Sequence, residues 1–222
     1  PSEECARTIY VKPIADEAQL AYYEWVHNNI KKVNEMSNGQ IGCIHIPDMS
    51  TVGLDEFTKL FYTQLDKKAL IIDDRMNGGG NVSPMIIERL QREVYRMNMY
   101  RNGSEGLATI PESTHHGPKV CLVDKYSSSD GDLFPYGFQK LGIGPLIGTR
   151  TWGGIVGISG SKPYVDGQDV RTPFFTSYST DGKWILENEG VTPDIYVDIN
   201  PFEDYLGNDA QLNKAVEVLL EQ

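Results

Sequence analysis

Three short stretches of this chain gather residue types that could do chemistry. The first, Asp74-Arg75-Met76-Asn77-Gly78-Gly79-Gly80-Asn81-Val82, sets three consecutive glycines between an apolar run and an amphipathic one. Glycine permits positive φ and leaves backbone N–H groups bare toward a ligand. Amides so placed at a helix N-terminus hold an anion or the oxyanion of a tetrahedral intermediate. A phosphate loop would carry a lysine and a hydroxyl residue after the glycines, and Asn81 and Val82 stand there instead. A tight turn without a chemical role is the competing reading.

The second stretch, Tyr126-Ser127-Ser128-Ser129-Asp130-Gly131-Asp132, follows an apolar run and opens a helical one. That position exposes a hydroxyl at the positive end of a helix, the principle of a nucleophile elbow, although no G-x-S-x-G signature is present. Serine and aspartate also cap helices, which is the simpler alternative. The third, Trp184 to Ile195, brings Glu187 and Glu189 close to Gly190 and Pro193 in a β-like segment. A carboxylate there could orient a base or bind a peptide amine; it could equally be a charged, solvated turn.

A hydroxyl nucleophile needs a base within hydrogen-bond reach. The chain has four histidines, and none reads as a convincing base. His27 falls in an amphipathic run and reads as a partly exposed helix residue, and His45 lies in the apolar IHIP run and reads as core. His115 and His116 fall in a polar stretch, where solvation is expected.

The elements that must position these stretches alternate between strand and helix. Residues 16–36 place Leu20, Tyr23, Trp25, Ile30 and Val33 at mostly helical spacing, closed by Ser37-Asn38-Gly39. QIGCIHIP reads as a strand, and Leu54, Phe57, Leu60, Phe61 and Leu65 mark one face of a following helix. The run 69–73 reads as a buried parallel strand, the glycine loop as a turn, and 83–97 as a helix with Pro84 at its first turn. KVCLVD at 119–124, the serine stretch and FQKLG repeat that order, with Pro135 near a helix start or at a kink. Beyond Gly153 the texture turns to short alternating runs, with a hairpin signal at VDGQ, before a final helix at 209–221. This is an α/β pattern with added β-hairpins. In open parallel sheets ligands gather at the carboxyl ends of strands, so the loops at 74–83 and 125–132 are the expected seat of chemistry.

Size and charge narrow the partners. The 222 residues suit one large domain, and neither a repeat nor a linker divides them. A formal charge of −11 argues against nucleic acid and against an anionic membrane surface. No run approaches the roughly 20 apolar residues of a membrane span, and the first residues carry no secretory signal core. A cytoplasmic location is the expectation, or a periplasmic or exported one if an upstream signal has been removed. Cys5, Cys43 and Cys121 lack metal-ligand spacing, and their odd number argues against a disulfide framework. No cofactor is called for.

Taken together and in order, Val11-Lys12-Pro13, YYEWV, SNGQIGCIHIPDM, DDRMNGGGNVS, SSSDGDLF, KLGIGPLIGTRTWGG and ENEGVTPDI resemble the catalytic core of the tricorn-type peptidases, within the tail-specific, C-terminal-processing serine peptidases. The resemblance covers nearly the whole chain. It implies that Ser129 is the nucleophile, that the amides of Gly80 and Asp130 form the oxyanion hole, and that Glu187 completes the polar network. Gly78 and Gly79 would lie along the substrate. The resemblance further implies a crotonase-like (ClpP/crotonase) core of strand-strand-helix units, oligopeptide substrates and assembly into a homo-oligomer.

Tail-specific relatives carry a lysine base in a T-x-G-K-G segment. Here Thr151-Trp152-Gly153-Gly154-Ile155 has glycine at that position. The tricorn-type base is instead a histidine, upstream of a PDZ-like module that precedes the core domain. The expectation is therefore a single catalytic core over 1–222 that is folded but nearly inactive alone. An acidic selector for basic substrate residues has its nearest counterpart in Glu105. Two other readings remain open from sequence: a non-enzymatic peptide-binding or assembly domain, and a crotonase-like acyl-thioester enzyme that needs no serine.

Overall fold

The computed structural model describes residues 7–101 and 108–222. Glu105 and Cys5 lie outside the described residues. The centre is a five-stranded, wholly parallel sheet formed by β1 (Ile41–His45), β2 (Ala69–Asp73), β5 (Lys119–Val123), β6 (Leu146–Gly148) and β9 (Ile195–Tyr196), adjacent in that order. Two antiparallel ribbons lie outside it: β3 (Arg96–Asn98) with β4 (Ala108–Ile110), and β7 (Gly157–Gly160) with β8 (Arg171–Phe175).

Every residue of β1, β2, β5 and β6 is buried, as a sheet covered on both faces requires. Alternate side chains divide between two cores. Ile44, Leu70, Ile72, Cys121, Val123 and Leu146 join Phe57 and Phe61 of α2 (Thr51–Tyr62), Ile86 and Leu90 of α3 (Ser83–Leu90), and Phe134 and Phe138 of α4 (Asp130–Lys140). Ile41, Cys43, Ile71, Val120, Leu122 and Ile147 face Val33 of α1 (Ala18–Met36) and Leu212, Ala215, Val216 and Leu219 of α6 (Ala210–Leu220). A short helix, α5 (Pro201–Tyr205), precedes the last one.

The three crossover helices α2, α3 and α4 thus share one face, while the first and last helices cover the other. A sheet whose strands follow chain order has no point at which the winding reverses. The functional crevice must therefore be built between neighbouring crossover loops on one rim. The glycine loop leaves the carboxyl end of β2 and the serine turn that of β5, and these strands pair directly, Asp73 beside Leu122.

One sequence expectation needs correction and another is narrowed. The helix expected over 83–97 ends at Leu90, and residues from Arg96 pair as β3 instead, so Val94 belongs to no helix. Pro135 is buried inside α4, the sixth residue of Asp130–Lys140, which sets aside the helix-start alternative of the two the sequence offered. The VDGQ turn does form, with Gly167 N donating to the Tyr164 carbonyl at 2.9 Å, in the connection between β7 and β8. Cys43 and Cys121 are free and buried. No helix among the described residues is long and apolar enough to cross a membrane.

Candidate active site

The glycine loop is fixed by one side chain and one neighbouring carbonyl. Asn77 is fully buried; its Nδ2 donates to Asp74 Oδ1 at 2.9 Å and to the Ile46 carbonyl at 3.1 Å, and its Oδ1 accepts from Gly79 N at 2.9 Å. On the other side Met49 N donates to the Gly79 carbonyl at 2.9 Å, and the Met49 carbonyl accepts from Asn81 N at 2.7 Å and from Val82 N at 3.2 Å. Gly79 and Gly80 have φ of 94° and 151°. A Cβ on Gly80 would stand 2.0 Å from the Met49 carbonyl oxygen, so the close approach itself demands glycine. Gly80 N is left without an acceptor among the described residues.

The serine turn packs against this loop. Ser128 N donates to the Asn77 carbonyl at 2.9 Å, and Ser127 Oγ donates to the Asp74 carbonyl at 2.8 Å. A Cβ on Gly79 would lie 2.6 Å from Ser129 Cβ and 2.9 Å from Asp130 N, which puts the two turns in van der Waals contact. Ser129 is half-buried and adopts φ 58°, ψ −119°, far from the extended geometry of an ordinary helix cap. A strained backbone at a strand-to-helix turn is how a hydroxyl is pushed out over a crevice. Asp130, the first residue of α4, has an N–H with no acceptor among the described residues. Its carboxylate instead ties back to the start of α3, accepting from Ser83 N at 3.0 Å and Ser83 Oγ at 2.5 Å.

Asp132 holds the third segment in place, a role its sequence position did not reveal. Its carboxylate is wholly buried and accepts from Ser129 N at 2.9 Å, Gly153 N at 2.8 Å and Gly154 N at 3.2 Å. Just beyond, Glu187 Oε2 accepts from Ile155 N at 2.7 Å and Val156 N at 3.0 Å. Between the two possible acids, Glu187 is the one turned inward; Glu189 is exposed. Glu187 is flanked by Leu186 and Asn188, both at φ 63°, and lines an apolar cavity of about 590 Å³ with Val156, Phe174, Phe175 and Trp184. The sequence-level site residues therefore fall along one rim. Gly79 spends its amide on Asn77, whereas a Cβ on Gly78 would meet nothing within 4 Å.

No histidine or lysine among the described residues hydrogen bonds to Ser129. His45 Nε2 faces the Arg75 carbonyl at 3.1 Å and must donate there, which leaves Nδ1 to accept from the Tyr22 hydroxyl at 3.1 Å. Burial lowers its pKa, and both nitrogens are committed, as core status implies. His115 corrects the sequence expectation of a solvated residue. It is buried, its Nε2 donating to the Lys67 carbonyl at 2.9 Å, and burial with the Lys119 charge nearby lowers its pKa to about 4. It also precedes β5, at the end of the strand opposite the serine turn, and the strand itself spans roughly 13 Å. His27 and His116 are exposed. At Gly154 a Cβ would lie 2.2 Å from the ring of the exposed Trp152, so any side chain there must displace the indole.

A strained serine at a helix start, with unpaired amides on both sides of it and a buried carboxylate network behind it, is an arrangement able to support acyl transfer of the serine type. The chain belongs to Peptidase family S41, whose model matches residues 40–197. It is 39% identical over 216 residues to the tricorn protease of Thermoplasma acidophilum, covering 97% of this chain and 20% of that protein. It is 40% identical over 219 residues to a tricorn protease homolog of Saccharolobus solfataricus, covering 97% and 20%. The crystal structure of the tricorn protease superposes with a TM-score of 0.90 at 39% identity, over 97% of this chain and 21% of that one. The crystal structure of mature CPAF, with a TM-score of 0.62 at 17% identity over 82% of this chain and 51% of that one, shares the fold. The chain spans about a fifth of the length of the curated relatives it matches.

Proposed function

We propose that the protein carrying this domain hydrolyses peptide bonds of oligopeptides, with Ser129 as nucleophile. Ser129 Oγ attacks the scissile carbonyl carbon; a C–O bond forms, and the carbonyl oxygen becomes an oxyanion received by the amides of Gly80 and Asp130. A base takes the hydroxyl proton and passes it to the departing amine, and water then cleaves the acyl-enzyme to release the acid and restore Ser129. Glu187, held at Oε2 by two amides, completes the polar network that orients this base. Gly78 lies along the substrate backbone. The observation that carries this reading is the contact of Gly79 with the Ser129 turn, with free N–H groups on Gly80 and Asp130 to either side.

The base comes from elsewhere in the longer polypeptide, a histidine upstream of a PDZ-like module as in tricorn-type proteins. The full protein is a homo-oligomer, and residues 1–222 are its catalytic core. The fold is crotonase-like, supported by strands in chain order with every crossover helix on one face. The test is fluorophosphonate labelling of the full-length protein. Labelling at Ser129, abolished by Ser129→Ala together with peptide turnover, is expected. Turnover that survives Ser129→Ala refutes the assignment.

A further inference from the structure

Beneath the two turns lies a buried acid that the peptidase chemistry does not touch. Asp74 is fully buried at the end of β2, and its backbone is stapled to the neighbouring strand and turn: Asp74 N donates to the Leu122 carbonyl at 3.0 Å, and its carbonyl accepts from Ser127 Oγ at 2.8 Å. Its side chain has one partner, Asn77 Nδ2 at 2.9 Å on Oδ1, while Oδ2 is buried with none. Asn77 in turn reaches both halves of the site. Its Oδ1 takes the Gly79 amide, and its carbonyl takes the Ser128 amide, each at 2.9 Å.

We infer that Asp74 and Asn77 form a positioning pair that fixes the spacing between the oxyanion loop and the nucleophile turn, and that Asp74 does this as an uncharged carboxylic acid. This deepens the serine-peptidase reading and rests on it.

The chemistry of the pocket argues for the uncharged form. A carboxylate buried with a single hydrogen bond is costly, and protonation is the cheaper way out. The surrounding groups offer no compensation. Asp73 on β2, Asp124 after β5 and Asp130 on α4 are all acidic, and the Cys121 thiol on β5 is itself pushed up by burial. Arg75 is claimed elsewhere, its guanidinium bonded to both oxygens of Asp73 at 2.8 and 2.6 Å and to Asp209 at 2.8 Å. Burial first, and then the Asp73 and Asp124 charges, raise the Asp74 pKa well above the ordinary carboxylate value. A charge there would also pull Asn77 Nδ2 toward it and away from the Ile46 carbonyl, rotating the amide that sets both turns.

Because the pair touches no substrate, its loss should appear in kcat and in the labelling rate rather than in KM. Asp74→Asn keeps an uncharged acceptor for Asn77; Asp74→Ala removes it. In the full-length protein, Asp74→Asn is expected to label at Ser129 and turn over peptide at close to the parent rate at neutral pH. Asp74→Ala and Asn77→Ala should lose about tenfold to a hundredfold in kcat, the cost of misplacing reacting groups by less than about 1 Å, with KM little changed. The parent protein should lose kcat on an alkaline limb as Asp74 ionises, and Asp74→Asn should lack that limb.

Equal kinetics for Asp74→Ala and the parent would overturn the inference, as would Asp74→Asn as impaired as Asp74→Ala, or an alkaline limb unchanged in Asp74→Asn. If Asp74→Ala does not fold, the comparison of Asp74→Asn with the parent still decides the matter through the pH profile. Turnover without labelling at Ser129 sinks the peptidase reading instead. The pH slope of unfolding in the parent and in Asp74→Asn then decides on Asp74 alone: stability that falls as pH rises above the ordinary carboxylate range only in the parent supports the uncharged acid, and identical slopes overturn it.

Discussion

The contact between the two turns can be tested by adding a single carbon. Gly79 and Gly78 are neighbours in the same loop, yet their surroundings differ sharply. At Gly79, φ is 94°, and a Cβ would meet Ser129 Cβ at 2.6 Å, the Ser128 carbonyl at 2.8 Å and Asp130 N at 2.9 Å; at Gly78 it would meet nothing within 4 Å. An alanine forced into positive φ costs about 1–2 kcal/mol. Displacing packed backbone adds about 1–3 kcal/mol more. Gly79→Ala should therefore destabilise the domain by about 2–5 kcal/mol. Gly78→Ala, which restricts the unfolded chain without meeting a clash, should lie within about 1 kcal/mol of the parent. Urea unfolding followed by tryptophan fluorescence measures both. In the full-length protein, fluorophosphonate labelling at Ser129 should fall steeply in Gly79→Ala and little in Gly78→Ala. Equal midpoints and equal labelling rates for the two variants would mean that the loops do not touch as described, and the paired-amide argument would go with them.

Three further outcomes follow from other contacts. Asp132→Ala strips three amides of their acceptor and should cost on the order of 3–6 kcal/mol in urea unfolding, with Asp132→Asn milder. Gly154→Lys should not confer peptide turnover on the isolated domain, because a side chain there must first displace the Trp152 ring; a chromogenic peptide assay checks this. His115 has a folded pKa of about 4 against an ordinary 6.5, so the unfolded chain binds more protons between those values and stability should fall as pH drops through that window. The loss should be about 1–3 kcal/mol, and His115→Gln, which keeps a donor for the Lys67 carbonyl, should flatten that part of the stability profile.

The sequence alone determined the strands and the places where they end. Runs such as ALII before Asp73 and VCLV after Lys119 are apolar throughout because both sheet faces are covered, and that pattern needs no partner to be read. Triple glycine after one run and serine, aspartate and glycine after the next are local signatures of backbone that must turn sharply, so Gly80 and Ser129 stood out from their own neighbourhoods. Val94 continues the apolar spacing of α3 beyond its end at Leu90, and pairing of β3 with β4 overrides that spacing. The partners were decided only by the tertiary structure. Asp132 finds Gly153 21 residues away, Glu187 finds Ile155 across 32, and His115 is buried because it caps the Lys67 carbonyl 48 residues back. Periodicity reports which face a residue presents to its own element. Which carboxylate meets which amide depends on the register of strands β2 and β5 and on the loops that register brings together, and no local pattern encodes that.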